Sequence, residues 1–350
     1  MATVKEVAKR AEVSVGTVSN VLTGTTAVSS ELRERVLAAV RELDYHPDYV
    51  ARSLKLRHTM MLGMIISDVT NPFFSSLVRG AEDAALEKNY LLLTFNTDDR
   101  VEREKRALEV LRSRKADGIL LVVAPQDGDY EHISETIALG TPVVCLDRVP
   151  PHIKVDSVTV DNIGAARNCV RHLIERGHRR IGIITGSPAL QTSRQRLQGY
   201  QSALAEAGIP ISPELIREGT FRTSSGHALG KELLSIPQCP TAIFSSNGLM
   251  ALGVLKAIEE LGLTCPDDVA LAVFDDLPMA DIIQPHLTTV AQPSYQMGYR
   301  GAELLIKKIT GQVKSSSKVS IRLETKLKIR QSTDGYRRST RPSGWAGGQR

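Results

Sequence analysis

The spacing of apolar positions changes partway along this chain. Up to about residue 45 they recur at intervals of three and four, the rhythm of amphipathic helices. Val4, Val7, Ala8 and Ala11 form one stripe, and Thr3-Val4-Lys5-Glu6 ahead of it has capping-box spacing. Ser14 stands where an N-cap belongs, and Val18, Val21 and Leu22 line one face of the segment that follows. The other face carries Val15, Gly16, Thr17, Ser19 and Asn20, mostly small or hydroxylated residues suited to close contact with a rigid surface. A third helix opens at Ser29-Ser30-Glu31 and turns Leu32, Val36, Leu37, Val40 and Leu43 inward. Two short helices joined by a tight turn, with a third packed across them, predict an all-α helix-turn-helix unit over residues 1–47, ended by Pro47.

From Met61 the pattern becomes strand, helix, strand. Short apolar runs fall at 62–67, 90–96, 118–124 and 142–147, with amphipathic stretches at 74–88 and 101–115. After Asp161 the alternation restarts: helix 162–176, strand 181–185, helix 193–207, a strand near 215–220, helix 224–235, strand 242–245, helix 248–261 and strand 269–274. Repeated βα units predict α/β architecture with parallel sheets covered on both faces. Two successive sets predict two lobes within residues 59–333, with a ligand at the carboxyl ends of the strands, in the cleft between them. Residues 290–312 add a further strand and helix. Residues 48–58 have little to bury against and read as a linker, and the Gly- and Arg-bearing residues 334–350 as a disordered basic tail.

The segment from Ala11 to Leu22 resembles the DNA-binding head of the LacI family of bacterial transcription regulators. Tyr45-His46-Pro47-Asp48-Tyr49-Val50-Ala51-Arg52-Ser53-Leu54 is similar to the family's hinge. Val69-Thr70-Asn71-Pro72-Phe73-Phe74, Gly177-His178-Arg179-Arg180-Ile181, Arg196-Leu197-Gln198-Gly199-Tyr200 and Leu287-Thr288-Thr289-Val290 resemble landmarks of its periplasmic-binding-protein-like sensor. The resemblance spans roughly residues 2–333. It implies a homodimer, a hinge helix that orders on DNA where the residues alone allow a plain tether, and a segment after residue 290 that crosses back to the first lobe.

Composition adds little to this picture and removes several alternatives. The net charge is only +5: residues 1–60 hold nine Lys/Arg against seven Asp/Glu, residues 334–350 four against one, and the middle is neutral. Pattern, and not bulk charge, therefore carries the expectation of a nucleic-acid partner. Cys145, Cys169, Cys239 and Cys265 are widely spaced and read as reduced core thiols; neither they nor the histidines have metal-ligand spacing, and no cofactor is expected. No stretch approaches about 18 apolar residues, and the first helix is charged where a signal peptide needs an apolar core. A cytoplasmic protein without a membrane partner is expected.

A helix entering a major groove presents its N-terminal exposed residues to base edges. By resemblance the base-reading positions fall on Val15, Gly16 and Asn20. Val15 offers apolar contact to a thymine methyl, Gly16 close backbone approach, and Asn20 a bidentate contact to adenine. Ser14, Thr17 and Ser19 are expected on phosphates. The resemblance also implies that Leu54 wedges into the minor groove with Ala51 beside it, against the alternative that Leu54 anchors on its own sensor. Glu12 occupies a turn position where Gly or Asn would ease a left-handed backbone. No leucine heptad follows residue 333, so a dimer without a tetramerising tail is expected on double-stranded, near-palindromic operator DNA.

For the cleft, polar residues close several predicted strands. By resemblance Asp147, Arg196, Asn247 and Asp275, with the aromatics Phe73, Phe74 and Phe221, correspond to effector-binding positions. Carboxylate, amide and guanidinium groups with aromatic rings suit a carbohydrate, although the fork of Arg196 equally suits a carboxylate or phosphate. Phe73 and Phe74 read as well as plain core. Asp276 reads as a helix N-cap, and Gly248 departs from the Asp usual after this Asn. An enzyme using Asp275 and Asp276 as an acid–base pair is disfavoured, because adjacent residues at a strand end point apart and no nucleophile–base pair is evident. A transporter's solute-binding protein is disfavoured by the N-terminal head. A ligand-gated transcriptional repressor remains.

Overall fold

The computed structural model describes residues 2–23, 28–45, 58–126, 128–314 and 316–334. The chain divides into two compact units, Met1–Met60 and Met61–Arg350.

The first unit holds α1 (Val4–Arg10), α2 (Val15–Thr23) and α3 (Ser30–Glu42). Both halves of the capping box form at Thr3 and Glu6. The predicted stripes meet in one core of Val7, Ala8, Ala11, Val18, Val21, Val36 and Ala39, with Val4, Leu22, Leu37, Val40 and Leu43 partly buried around it. Glu12 does adopt the left-handed backbone, at φ 53°. Arg35 of α3 braces that turn, donating to the Ala11 carbonyl at 2.6 Å. Ala51 and Leu54, and the hinge to which they belong, lie outside the described residues.

The second unit contains two six-stranded sheets. The first lobe is built on β1 (Met61–Ile66), β2 (Leu91–Asn96), β3 (Gly118–Leu121), β4 (Val143–Leu146), β5 (Asp156–Val160) and β11 (Ser320–Leu323), in the order β11-β5-β4-β3-β1-β2. The second lobe is built on β6 (Ile181–Thr185), β7 (Ile216–Glu218), β8 (Ala242–Ser245), β9 (Ala270–Phe274), β10 (Thr288–Ala291) and β12 (Lys326–Lys328), in the order β12-β10-β9-β8-β6-β7. Among the described residues all pairings are parallel except β10 with β12. The two strand orders correspond position for position.

Helices α4 (Pro72–Leu86), α5 (Val101–Ser113), α6 (Glu131–Ala138), α7 (Asn162–Glu175), α8 (Gln191–Glu206), α9 (Thr223–Ser235), α10 (Gly248–Glu260) and α11 (Ser294–Ile309) connect the strands. Covering by helices on both faces explains the continuous apolar runs. In β9, Ala270, Ala272 and Phe274 face one core, while Leu271 and Val273 face the other. The chain passes between lobes after β5, after β10 and between β11 and β12. As expected, α11 packs in the first lobe, against α4, β3 and β4. Two glycines permit that crossing: a Cβ on Gly80 would lie 1.9 Å from the Tyr295 carbonyl oxygen, and one on Gly298 1.9 Å from that of Leu77.

The sequence reading missed α6, β5, β11 and β12. It also misassigned Asp276, which is no N-cap. Its carboxylate accepts from Thr289 Oγ1 at 2.7 Å, Lys328 Nζ at 2.6 Å and Arg330 Nη1 at 3.0 Å, tying β12 to the β9 end. Cys239 and Cys265 are half-buried and not fully in the core, whereas Cys145 and Cys169 are buried.

Candidate DNA interface and ligand cleft

On α2, Ser14 caps the helix, accepting the Thr17 amide at 3.0 Å, and the Ser14 and Thr17 hydroxyls lie 2.9 Å apart. Val18 is fully buried, which turns the opposite face outward: Val15 is 41% exposed, Gly16 is exposed, and Thr17, Ser19 and Asn20 are half-buried at its edge. A methyl-bearing side chain, a bare backbone and an amide thus lie within the first two turns of α2.

In the sensor unit the seven residues predicted for the effector come together in one cleft: Phe73, Phe74, Asp147, Arg196, Phe221, Asn247 and Asp275 all line it. Topology places them. Asp147 follows β4 and Asp275 follows β9, strands at matching positions in the two sheets. Both residues have left-handed backbones, at φ 63° and 81°. Each returns its amide to the neighbouring strand, Asp147 to the Val158 carbonyl and Asp275 to that of Val290, both at 3.0 Å. The lobes therefore present one buried carboxylate each.

Burial raises both carboxyls above their usual range, opposed at Asp147 by Arg148 and Arg196 and at Asp275 by Arg196 and a bond from Gln292. The Gln292 amide donates to Asp275 Oδ1 at 2.6 Å. Asp147 Oδ1 and Gln292 Oε1 are buried acceptors without a hydrogen-bond partner among the described residues.

Arg196 is largely committed to the protein. Its Nε donates to Asn162 Oδ1 at 2.9 Å, its Nη1 to the Ser246 carbonyl at 2.7 Å, and its guanidinium lies 3.8 Å from the Phe274 ring centroid. Burial pulls its pKa down, against Asp275 and Asp147. Asn247 is committed as well: it caps α10, accepting the Met250 amide at 2.9 Å, and donates to the Phe221 carbonyl at 3.1 Å. That bond holds Phe221 at φ 60°, with its ring against Gly186. Phe74 is buried under the Arg148 guanidinium, 5.9 Å from its ring centroid, and Phe73 is half-buried in edge contact with Phe74. A Cβ on Gly248 would meet Leu277 Cδ2 at 2.6 Å, so the Leu277 side chain occupies the space beside this glycine and would have to shift for the Asp that the resemblance leads one to expect.

Sequence reasoning missed Arg148, Asp99, Gln292 and Arg222. Arg148 is buried, donates to Asp99 at 2.6 Å and to the Val123 carbonyl at 3.2 Å, and pairs with Asp147 at 3.5 Å. Burial depresses its pKa, but Asp99 and Asp147 more than compensate and the net direction is upward. Arg222 of the second lobe approaches Asp68 of the first at 3.6 Å. Gln292 follows the end of β10, so the strand-end rule that found Asp147 would have found it. Arg148, directly after Asp147, reads in sequence as a solvated charge.

A small helix-turn-helix head followed by a two-lobed α/β domain with matching sheets is the architecture of a DNA-binding transcription regulator. Residues 3–48 match the profile of the bacterial regulatory proteins of the lacI family, and residues 170–333 match a periplasmic binding protein-like domain. The HTH-type transcriptional repressor PurR of Pasteurella multocida (strain Pm70) is 35% identical over 332 residues, covering 95% of this chain and 98% of the relative. A structure described as a transcriptional regulator CelR–cellobiose complex superposes with a TM-score of 0.72 at 33% identity, covering 95% of this chain and all of that one. The lac repressor dimer bound to operator and the anti-inducer ONPF gives a TM-score of 0.83 at 28% identity, over 95% of this chain and 99% of that one. The chain belongs to the lacI family, and it is a DNA-binding transcriptional repressor and not an enzyme.

Proposed function

We propose that the repressor binds a palindromic operator as a homodimer and that a neutral carbohydrate in the inter-lobe cleft controls it. The observation that carries the effector class is the pair of buried acceptors, Asp147 Oδ1 and Gln292 Oε1, unpartnered among the described residues, in a cleft with three phenylalanines. Such acceptors call for a ligand rich in hydroxyl donors. The charges argue against a phosphate: Arg148 is matched by Asp99 and Asp147, and two of the Arg196 donor groups are already used. Arg196 Nη2 is left to meet a sugar oxygen, Asp147 and Asp275 take its hydroxyls, Phe73, Phe74 and Phe221 bound its faces, and Asn247 positions Phe221. The relative solved with cellobiose supports this class.

On DNA, Val15, Gly16 and Asn20 read bases while Ser14, Thr17 and Ser19 hold phosphates. Ala51 and Leu54 act at the minor groove. For the dimer, exposed Leu86, Leu91 and Leu93 on the first lobe and Met279 and Ile282 on the second supply apolar surface for a second copy. A sugar that prefers one lobe arrangement shifts operator affinity by that difference. The boundaries 1–47, 48–58, 59–333 and 334–350 describe reader, hinge, sensor and tail, working in the cytoplasm where the operator is.

The test is selection of binding sites from random duplexes by the full-length protein at fixed salt, with and without a panel of sugars and sugar phosphates. A palindrome whose affinity one neutral sugar moves is the expected result. A palindrome moved only by a phosphorylated sugar would overturn the neutral cleft, and no enriched sequence would overturn the roles given to Val15 and Asn20.

A further inference from the structure

The turn that joins α1 to α2 carries a cost whose offset lies outside both helices. Glu12 sits in the left-handed region, at φ 53°, where a Cβ is disfavoured and glycine is the usual occupant. The hydrogen bonds of the turn demand that geometry. The Glu12 amide donates to the Lys9 carbonyl at 3.3 Å and the Val13 amide to the Ala8 carbonyl at 3.0 Å, the pair of bonds by which a Schellman motif ends a helix. Val13 then packs against the head core and Ser14 caps α2. With only Val13 between the left-handed residue and the next cap, the backbone at Glu12 sets the direction in which α2 leaves.

The offset comes from α3. Arg35 Nη2 donates to the Ala11 carbonyl at 2.6 Å and lies 3.4 Å from Glu12 Oε2. Carbonyls at the end of a helix have no intrahelical partner, and a bond from a guanidinium is about twice as strong as a neutral one. The Ala11 bond is the stronger of the two contacts. Ala11 is buried, whereas the Glu12 side chain is 85% exposed, where an ion pair is screened. Arg10 and Glu42 also join α1 to α3, at 2.6 Å, but both side chains are exposed and neither belongs to the turn. The apolar contacts of Val7, Val18 and Val36 set how closely the helices pack without choosing the backbone angle of Glu12.

We propose that Arg35 is a positioning residue for operator recognition: it holds Glu12 in the left-handed form that glycine would adopt unaided, and so holds the exposed face of α2 at a fixed angle to α3. It acts through the Ala11 backbone and not as a contact to DNA. This role rests on the reading that Val15, Gly16 and Asn20 face base edges. A contact to a base edge needs its side chain placed within about 0.5 Å, and the general attraction of a basic head for phosphates does not. A head that loses Arg35 therefore keeps its attraction for DNA and loses its selectivity.

The test uses the full-length protein on a duplex that the parent enriches from a random pool, and on an unrelated duplex of equal length, over a range of salt. Arg35→Met keeps the apolar stem and removes the guanidinium. It should weaken binding to the enriched duplex about tenfold or more, and to the unrelated one by less than about threefold. The salt dependence should stay as in the parent, since a lost phosphate contact would lower its slope by about one. Adding Glu12→Gly, which needs no brace, should restore most of the lost affinity. Adding Glu12→Gln, which removes the same charge and keeps the Cβ, should not. Asn20→Ala tests the reading beneath: if it weakens binding to the enriched duplex and Arg35→Met does not, the brace is overturned and base reading by α2 stands. If neither variant changes binding, or the parent enriches no sequence, both fall. The proposal is also overturned if Arg35→Met weakens both duplexes alike, or if Glu12→Gly restores binding no better than Glu12→Gln.

Discussion

Replacing Arg196 with lysine separates two roles that the cleft geometry combines. The guanidinium makes two hydrogen bonds to buried acceptors, Asn162 Oδ1 and the Ser246 carbonyl, and stacks 3.8 Å from the Phe274 ring centroid. A lysine keeps the charge but cannot reproduce the planar fork. Hydrogen bonds to a charged group contribute about 1.5–3 kcal/mol each, and a desolvated cation–π contact about 1–2 kcal/mol. With one ammonium bond recovered, the expected loss is about 3–5 kcal/mol. For a unit of this size that lowers Tm by about 6–12 °C. The full-length Arg196→Lys protein should therefore melt well below the parent in a calorimetric scan, and added sugar should recover part of the difference. A variant that melts within a degree or two of the parent while losing sugar binding would refute the reasoning. The guanidinium would then serve the ligand, and its bonds to Asn162 and Ser246 would contribute little.

Three further outcomes follow from other parts of the chain. Asn20→Ala should leave the head folded and relax discrimination at one operator position by about 1–3 kcal/mol, read by competition between duplexes differing at single base pairs. Gly298→Ala places a methyl against the Leu77 backbone, where nothing flexible can yield; urea unfolding should show a loss of about 2 kcal/mol or more, and a change under about 0.5 kcal/mol would contradict the α4–α11 contact. His178 is held neutral, its pKa pulled down to about 4 by burial and the nearby His172. The unfolded chain protonates near 6.5, so this contribution is complete above pH 6.5 and is lost as pH falls towards 4, at about 2–3 kcal/mol. Asp147 and Asp275, with raised pKa values, act in the opposite sense at the acid end. The measurement is therefore the difference between parent and His178→Gln across that range, which should flatten in the variant.

Legibility in the sequence followed burial. Strands β6 and β8 could be placed to the residue because both of their faces are covered, leaving unbroken apolar runs. Strands β11 and β12 escaped notice because they are edges: Ser-Ile-Arg-Leu and Lys-Leu-Lys alternate exposed and half-buried positions and carry the cations that edge strands favour. The carboxylates of the cleft were visible because topology, not packing, puts Asp147 and Asp275 at strand ends. Their partners were not. Arg148 reaches Asp99 across forty-nine residues of chain, a pairing that no local pattern encodes. Asp276 was misjudged for the same reason, since its partners Lys328 and Arg330 lie on the returning C-terminal segment.

The order in which the strands are threaded has a consequence for a chain made from its N-terminus. The head closes its core with residues no later than Tyr45 and can fold as soon as these emerge. Neither lobe can do so. The first waits for α11 and β11, the second for β12 and for Ser332, whose hydroxyl donates to the Leu271 carbonyl deep in the second sheet. During synthesis, therefore, the reader matures while the sensor is still open at both sheet edges. A nascent repressor can hold a folded helix-turn-helix head well before either lobe of the second unit is complete.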